Sequence, residues 1–116
     1  MTISKENREF IDSLIDYYIS ESQSYIQIAE NYLPEIESVP DTAFGIITGC
    51  VYSGFLQAYQ NQQQSPSLED MKEFNQIIKN RASQIKKSLA GEQSPNSNQE
   101  QENTLKNQNE INFGNA

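Results

Sequence analysis

The residue types that usually carry chemistry are thinly represented in this sequence. It contains no histidine, which removes the commonest general base and nucleophile activator, and also the commonest zinc ligand. Metal or nucleophilic chemistry would therefore fall to carboxylates and to the single cysteine, Cys50. Di-iron bundles need Glu-x-x-His pairs on facing helices; none exists, and no acid occurs between Asp41 and Glu69. Cys50 stands inside the most apolar segment of the chain, where a thiol behaves as a small core side chain with little thiolate character. Gly45, Gly49 and Gly54 match neither the dinucleotide-binding nor the phosphate-loop spacing. The expectation is no catalytic residue, no cofactor and no metal: the chain does not read as an enzyme.

Two patterns suit recognition better than reaction. Tyr18, Tyr25 and Tyr32 repeat every seven residues, with Tyr17 beside them. Such a row supplies apolar area and leaves hydroxyls to be satisfied, as at a core edge or a subunit interface. Gly45, Gly49 and Ser53 recur every four residues and form a small-residue stripe along which a second backbone could approach closely. These six positions are the candidate interface. Lys72, Lys79 and Lys86 also repeat at seven residues, but no aromatic interleaves with them and the chain has 16 acidic against 8 basic residues, a net charge of −8. That balance opposes nucleic acid and anionic membranes as partners and favours a protein partner or self-association, with a small molecule as the other option.

The elements that must position these residues read as helices. From Ser4 to Leu33, the residues Ile11, Ile15, Tyr18, Ser22, Tyr25, Ala29, Tyr32 and Ile36 alternate at four- and three-residue steps, a helical stripe widened by Phe10, Leu14, Ile26 and Leu33. Thr2 or Ser4 is the expected N-cap, and Pro34 should end or kink the helix near Leu33. Asp41 is the expected N-cap of a second segment, Thr42 onward, whose apolar residues lie on both sides and predict a helix buried all round. Its glycines and β-branched residues leave a strand over 44–52 as the competing reading. Residues 42–68 carry no charge, yet the apolar part is short for a membrane span and contains three glycines. In the third segment, Ser67-Leu-Glu-Asp70 has the form of a capping box. Leu68, Met71, Phe74, Ile78, Ala82, Ile85 and Leu89 then run down one face to Gly91. Acids open this segment and lysines and arginine close it, matching the helix dipole.

The prediction is an all-α, three-helix up-down-up bundle, with helices over about 4–33, 42–62 and 67–90, forming one domain over 1–91. Helices one and three would run parallel, bringing the basic end of the third near Glu30, Glu35 and Glu37. Residues 92–116 are rich in Asn, Gln, Ser and Glu, have only Leu105, Ile111 and Phe113 as large apolar residues, and predict a disordered tail in which those three could form a binding motif. The first residues, Met1 to Glu6, lack the apolar run of a signal peptide, so the expected compartment is the cytoplasm. The functional expectation is a non-catalytic helical interaction module, with an apolar ligand pocket along the middle helix as the alternative.

Overall fold

A computed structural model describes residues 2–91 of the 116. The tail, with the motif expected at Leu105, Ile111 and Phe113, lies outside the described residues. The described chain is all-α, but it contains four helices and not three: α1 Lys5–Ser20, α2 Ser22–Glu30, α3 Val39–Asn61 and α4 Leu68–Leu89.

The extra helix comes from a break in the first predicted segment. Glu21 leaves helical geometry, with φ −106° and ψ 15°, and its amide is shared between the carbonyls of Tyr17 and Tyr18, both at 3.2 Å. Serines flank the break, and short hydroxyl side chains compete for backbone partners. Ser20 Oγ donates to Tyr17 O at 2.6 Å, and Ser22 Oγ donates across the fold to Ser88 O at 3.2 Å, where Gln23 Nε2 also donates at 3.1 Å. Ser88 belongs to the last turn of α4, where its carbonyl has no i+4 amide and accepts from the Gly91 amide at 3.2 Å. The break therefore aims two side chains of α2 at the end of α4. α2 ends at Glu30, ahead of Pro34, and tight turns formed by the amides of Asn31, Tyr32 and Leu33 follow it.

Capping sets the other boundaries. Ser4 caps α1 by accepting from the Asn7 amide at 3.1 Å. α3 starts earlier than predicted because its N-cap is Ser38, not Asp41: Ser38 Oγ accepts from the Asp41 amide at 3.1 Å. Pro40 then sits in the first turn, where its missing N–H costs nothing and its fixed φ suits the helix. Ser67 and Asp70 exchange side-chain-to-amide bonds of 3.0 Å each, completing the capping box of α4. Gly91 follows the Ala90 cap with φ 76°, the left-handed conformation in which glycine carries no Cβ penalty.

α3 is helical throughout, so the strand over 44–52 is not formed. It is the central element, packed on α1, α2 and α4. α1 and α4 run in the same direction: Thr2 meets Glu73, Asp16 meets Arg81 and Ser22 meets Ser88. α3 runs against both, with Gly54 beside Leu14 and Asp41 beside Lys86. The core joins Ile11 and Ile15 to Ala43, Ile47, Val51 and Phe55 of α3 and to Phe74, Ile85 and Leu89 of α4, all buried. The rings of Phe55 and Phe74 stack with centroids 4.6 Å apart. Each large apolar side chain removed from water in this way contributes about 1.5–3 kcal/mol. Leu68, expected on the buried face of α4, lies at the first residue of that helix and is 70% exposed.

Two corrections concern placement. The basic end of α4 does not reach Glu30, Glu35 or Glu37; Lys86 pairs with Asp41 and Arg81 with Asp12 and Asp16. Nor is α3 buried all round. Its core residues recur every four positions, at Ala43, Ile47, Val51, Phe55 and Tyr59, while Gly45, Gly49, Tyr52, Ser53 and Leu56 on the opposite side are exposed. A bundle this small has too few neighbours to wrap a helix completely. Among the described residues, no helix is long and apolar enough to cross a membrane.

Candidate functional site

The six positions singled out by spacing fall into two groups. Tyr18 and Tyr25 come together at the junction of α1, α2 and α3, half-buried, with ring centroids 5.7 Å apart in an edge-to-face arrangement. Tyr17 adds a second edge-to-face contact to Tyr18 at 5.2 Å. Burial pushes the hydroxyl pKa of both Tyr18 and Tyr25 above its ordinary value, and the neighbouring Cys50 thiol adds to the effect. Both therefore remain neutral donors at physiological pH. Tyr32 does not join them. It lies in the turn after α2 and is 55% exposed, so the seven-residue row is interrupted where the helix ends.

Gly45, Gly49 and Ser53 line the outer face of α3. A Cβ built at Gly45 or Gly49 would meet nothing within 4 Å, so no neighbouring element packs on the helix at these two positions. The close helix approach occurs at Gly54, one residue beyond it, where a Cβ would stand 2.5 Å from Leu14 Cδ1. Around the stripe, the outer face continues through Tyr52, which lays an edge on Phe74 at 5.6 Å, and Leu56. On the α1 side it meets Phe10 and Tyr17, 40% and 56% exposed. Phe10 shares with Gly54, Gln57 and Ala58 an open groove of about 420 Å³, which Glu6, Asn7, Asn61 and Gln62 complete. The result is an exposed surface with no charge on α3 after Asp41, with Glu6 of α1 at one border and Lys86 of α4 at the other.

Spacing in the sequence missed Phe10, Tyr17, Tyr52 and Leu56 as members of this surface. The available signal was the charge-free run from 42 to 68. A helix with only one buried face must expose the rest of such a run.

A second cluster is polar and lies at the end of the bundle where the chain enters α1. Asn7, buried, and Gln62 exchange amide hydrogen bonds of 3.2 and 2.9 Å. Thr2 and Ile3 donate their amides to Glu73 Oε1 at 2.8 and 3.2 Å. Burial by itself would raise the Glu73 pKa, but these amides outweigh it and hold the carboxyl below its ordinary range. Asp70 is also held low, by the Thr2 hydroxyl first and by Ser67, against the opposing effect of burial. Tyr59 is raised by burial and by the adjacent Asp70 carboxylate. These bonds tie the segment before α1 to α4, while Arg8 Nε and Glu73 Oε2, 3.9 Å apart, are buried with no hydrogen-bond partner among the described residues. Among the described residues, no three cysteine, aspartate or glutamate side chains are grouped to hold a metal ion.

Compared with known proteins, the chain matches no protein-family model, no curated protein and no solved structure.

Proposed function

We propose that this chain is a non-catalytic helical interaction module, a small adaptor or accessory subunit of a protein complex, and that the outer face of α3 is its contact surface. The observation that carries this reading is the exposure of Gly45, Gly49, Tyr52, Ser53 and Leu56 on a helix with no charged residue after Asp41. Solvent-facing helix surfaces ordinarily carry charges, whereas interface cores are depleted of them and enriched in aromatics. Tyr17 and Phe10 on α1 extend the same surface.

The test is affinity capture from the native source with the wild-type chain and with Ser53→Arg, whose exposed position leaves the core intact. Loss of a specific co-purifying species in the variant supports the module; identical capture by both overturns it.

The groove between α1 and α3 favours a second reading, a small-ligand domain, because Phe10 and Ala58 offer apolar wall and Gln57, Asn61 and Gln62 offer amides in one depression. A thermal-shift screen separates the two. A single small molecule that stabilises the wild type but not a Phe10→Ala variant favours the ligand domain.

A further inference from the structure

The flanks of the α3 outer face carry opposite charges. On the α4 side, Lys86 reaches across to Asp41 and stands 6.0 Å from the centre of the Phe44 ring, so this edge of α4 borders α3. Lys79 and Lys72 follow on the same edge at seven-residue steps. On the α1 side, Glu6 lines the groove it shares with Gln57 and Asn61 of α3. Phe10, Leu14, Tyr17 and Glu21 then succeed one another at four- and three-residue steps, a row fixed against α3 by Leu14 at Gly54. The α4 edge thus carries three lysines, of which Lys72 also pairs with Glu69 at 3.6 Å and Lys86 with Asp41, and the α1 edge carries Glu6 and Glu21, with the strip uncharged after Asp41 between them.

The two flanks also match in level. α1 and α4 run in the same direction, with Thr2 beside Glu73 at one end and Ser22 beside Ser88 at the other. Glu6 accordingly stands near the level of Lys72, and Glu21 near that of Lys86.

Resting on the interaction-module reading, we propose that the partner is a second copy of this chain, joined about a twofold axis that runs along α3, so that the two α3 helices lie parallel. Such an axis sets the acidic α1 edge of each copy against the basic α4 edge of the other without changing levels, pairing Glu6 with Lys72 and Glu21 with Lys86 twice over. A twofold axis across α3 would instead set lysines against lysines and acids against acids. Charge complementarity therefore selects the parallel pair. The surface has adequate size: 23 residues of α3 span ~34 Å, and with its two flanks the strip is ~20 Å wide. That is ~700 Å², close to the ~800 Å² per partner of a stable interface. Gly45, Gly49 and Ser53 let the paired backbones approach closely at its centre.

Sedimentation of the full chain over a micromolar concentration series should show a monomer–dimer equilibrium, and Ser53→Arg should be a monomer with unchanged helicity. Glu6→Lys should weaken dimerisation by about tenfold or more through like-charge contact with Lys72, and Lys72→Glu in the same chain should restore it. Arrangement is read by single cysteines at Gly45 and at Leu56, each in a Cys50→Ser background. In a parallel pair each faces its own counterpart, so both variants form interchain disulfides, which need Cα atoms within ~7 Å. Cross-linking at only one of the two, or at neither, overturns the parallel arrangement. A wild-type chain that remains a monomer throughout overturns the homodimer. Those two failures leave the module reading standing as long as capture of another protein still depends on Ser53, so the two ideas fail separately.

Discussion

Leu14 Cδ1 occupies the space that a side chain at Gly54 would need: a Cβ there would lie 2.5 Å from it, where α1 packs against α3. Gly45 and Gly49, on the same helix, have open space in the corresponding direction. Alanine relieves a helical glycine of about 1 kcal/mol of propensity cost. Gly45→Ala and Gly49→Ala should therefore each stabilise the monomeric fold by up to about 1 kcal/mol in chemical denaturation. Gly54→Ala should lose that gain to the displacement of Leu14 and recover part of it in combination with Leu14→Ala. Equal gains at all three glycines would contradict the close approach.

The stacked pair Phe55 and Phe74 lies at the centre of the core, whereas Tyr52, which touches Phe74 from outside, is partly exposed. Phe55→Ala should cost about 3–5 kcal/mol and threaten folding of a domain this small. Tyr52→Ala should cost less, since Tyr52 packs on the rim of the core and keeps 36% of its surface in solvent. Urea midpoints for the two variants provide the comparison.

Asn7 and Gln62 hold each other through a reciprocal amide pair. Asn7→Ala removes both bonds, but Gln62 can turn to water, so the loss should be about 1–2 kcal/mol and not the larger penalty of a stranded buried group. Gln62→Ala should cost more than its exposed position suggests, because Asn7 is buried and loses its amide partner, keeping only the Tyr59 hydroxyl. A Gln62→Ala variant as stable as wild type would show that Asn7 finds another partner.

Acid should unfold the protein through carboxylates held below their ordinary values, namely Asp41 beside Lys86, Asp70 bonded by Thr2 and Ser67, and Glu73 bonded by the Ile3 and Thr2 amides. A depressed folded-state pKa contributes stability that is complete above the unfolded range of ~3.9–4.3 and is lost as pH falls through the folded value. Tyr18, Tyr25 and Tyr59 are raised, so their contribution is complete below the ordinary tyrosine value near ~10 and disappears as pH rises through their folded values. Melting temperature should be flat through neutral pH and fall at both ends. Glu73→Gln should shrink the acid limb and, because the Glu73 charge also helps raise Tyr59, slightly shrink the alkaline limb; an unaltered acid limb would remove Glu73 from this account.

Class and composition were legible without coordinates. Periodic apolar residues, the Ser67–Asp70 capping box and Gly91 specify α4 almost completely, because caps and amphipathic spacing are local properties of the chain. The α1–α2 segment was legible only as one helix. The serines at 20 and 22 are a local sign of weakness, but the bonds that Ser22 and Gln23 give the Ser88 carbonyl, 66 and 65 residues away, are reported by no local pattern. The boundary of α3 shifted for a local reason, since Ser38 competes with Asp41 for the cap and Pro40 fits the first turn.

For the candidate surface, the sequence determined that residues 42–68 carry no charge, that small residues recur at 45, 49 and 53, and that no histidine is present for catalysis. Only the tertiary structure decided which side of α3 would be covered. Apolar residues occur all around that helix, so spacing leaves its orientation undetermined. Packing covered the side that carries Ala43, Ile47, Val51, Phe55 and Tyr59, burying their apolar area against α1, α2 and α4. Gly45, Gly49 and Ser53 were left outside, together with Tyr52 and Leu56.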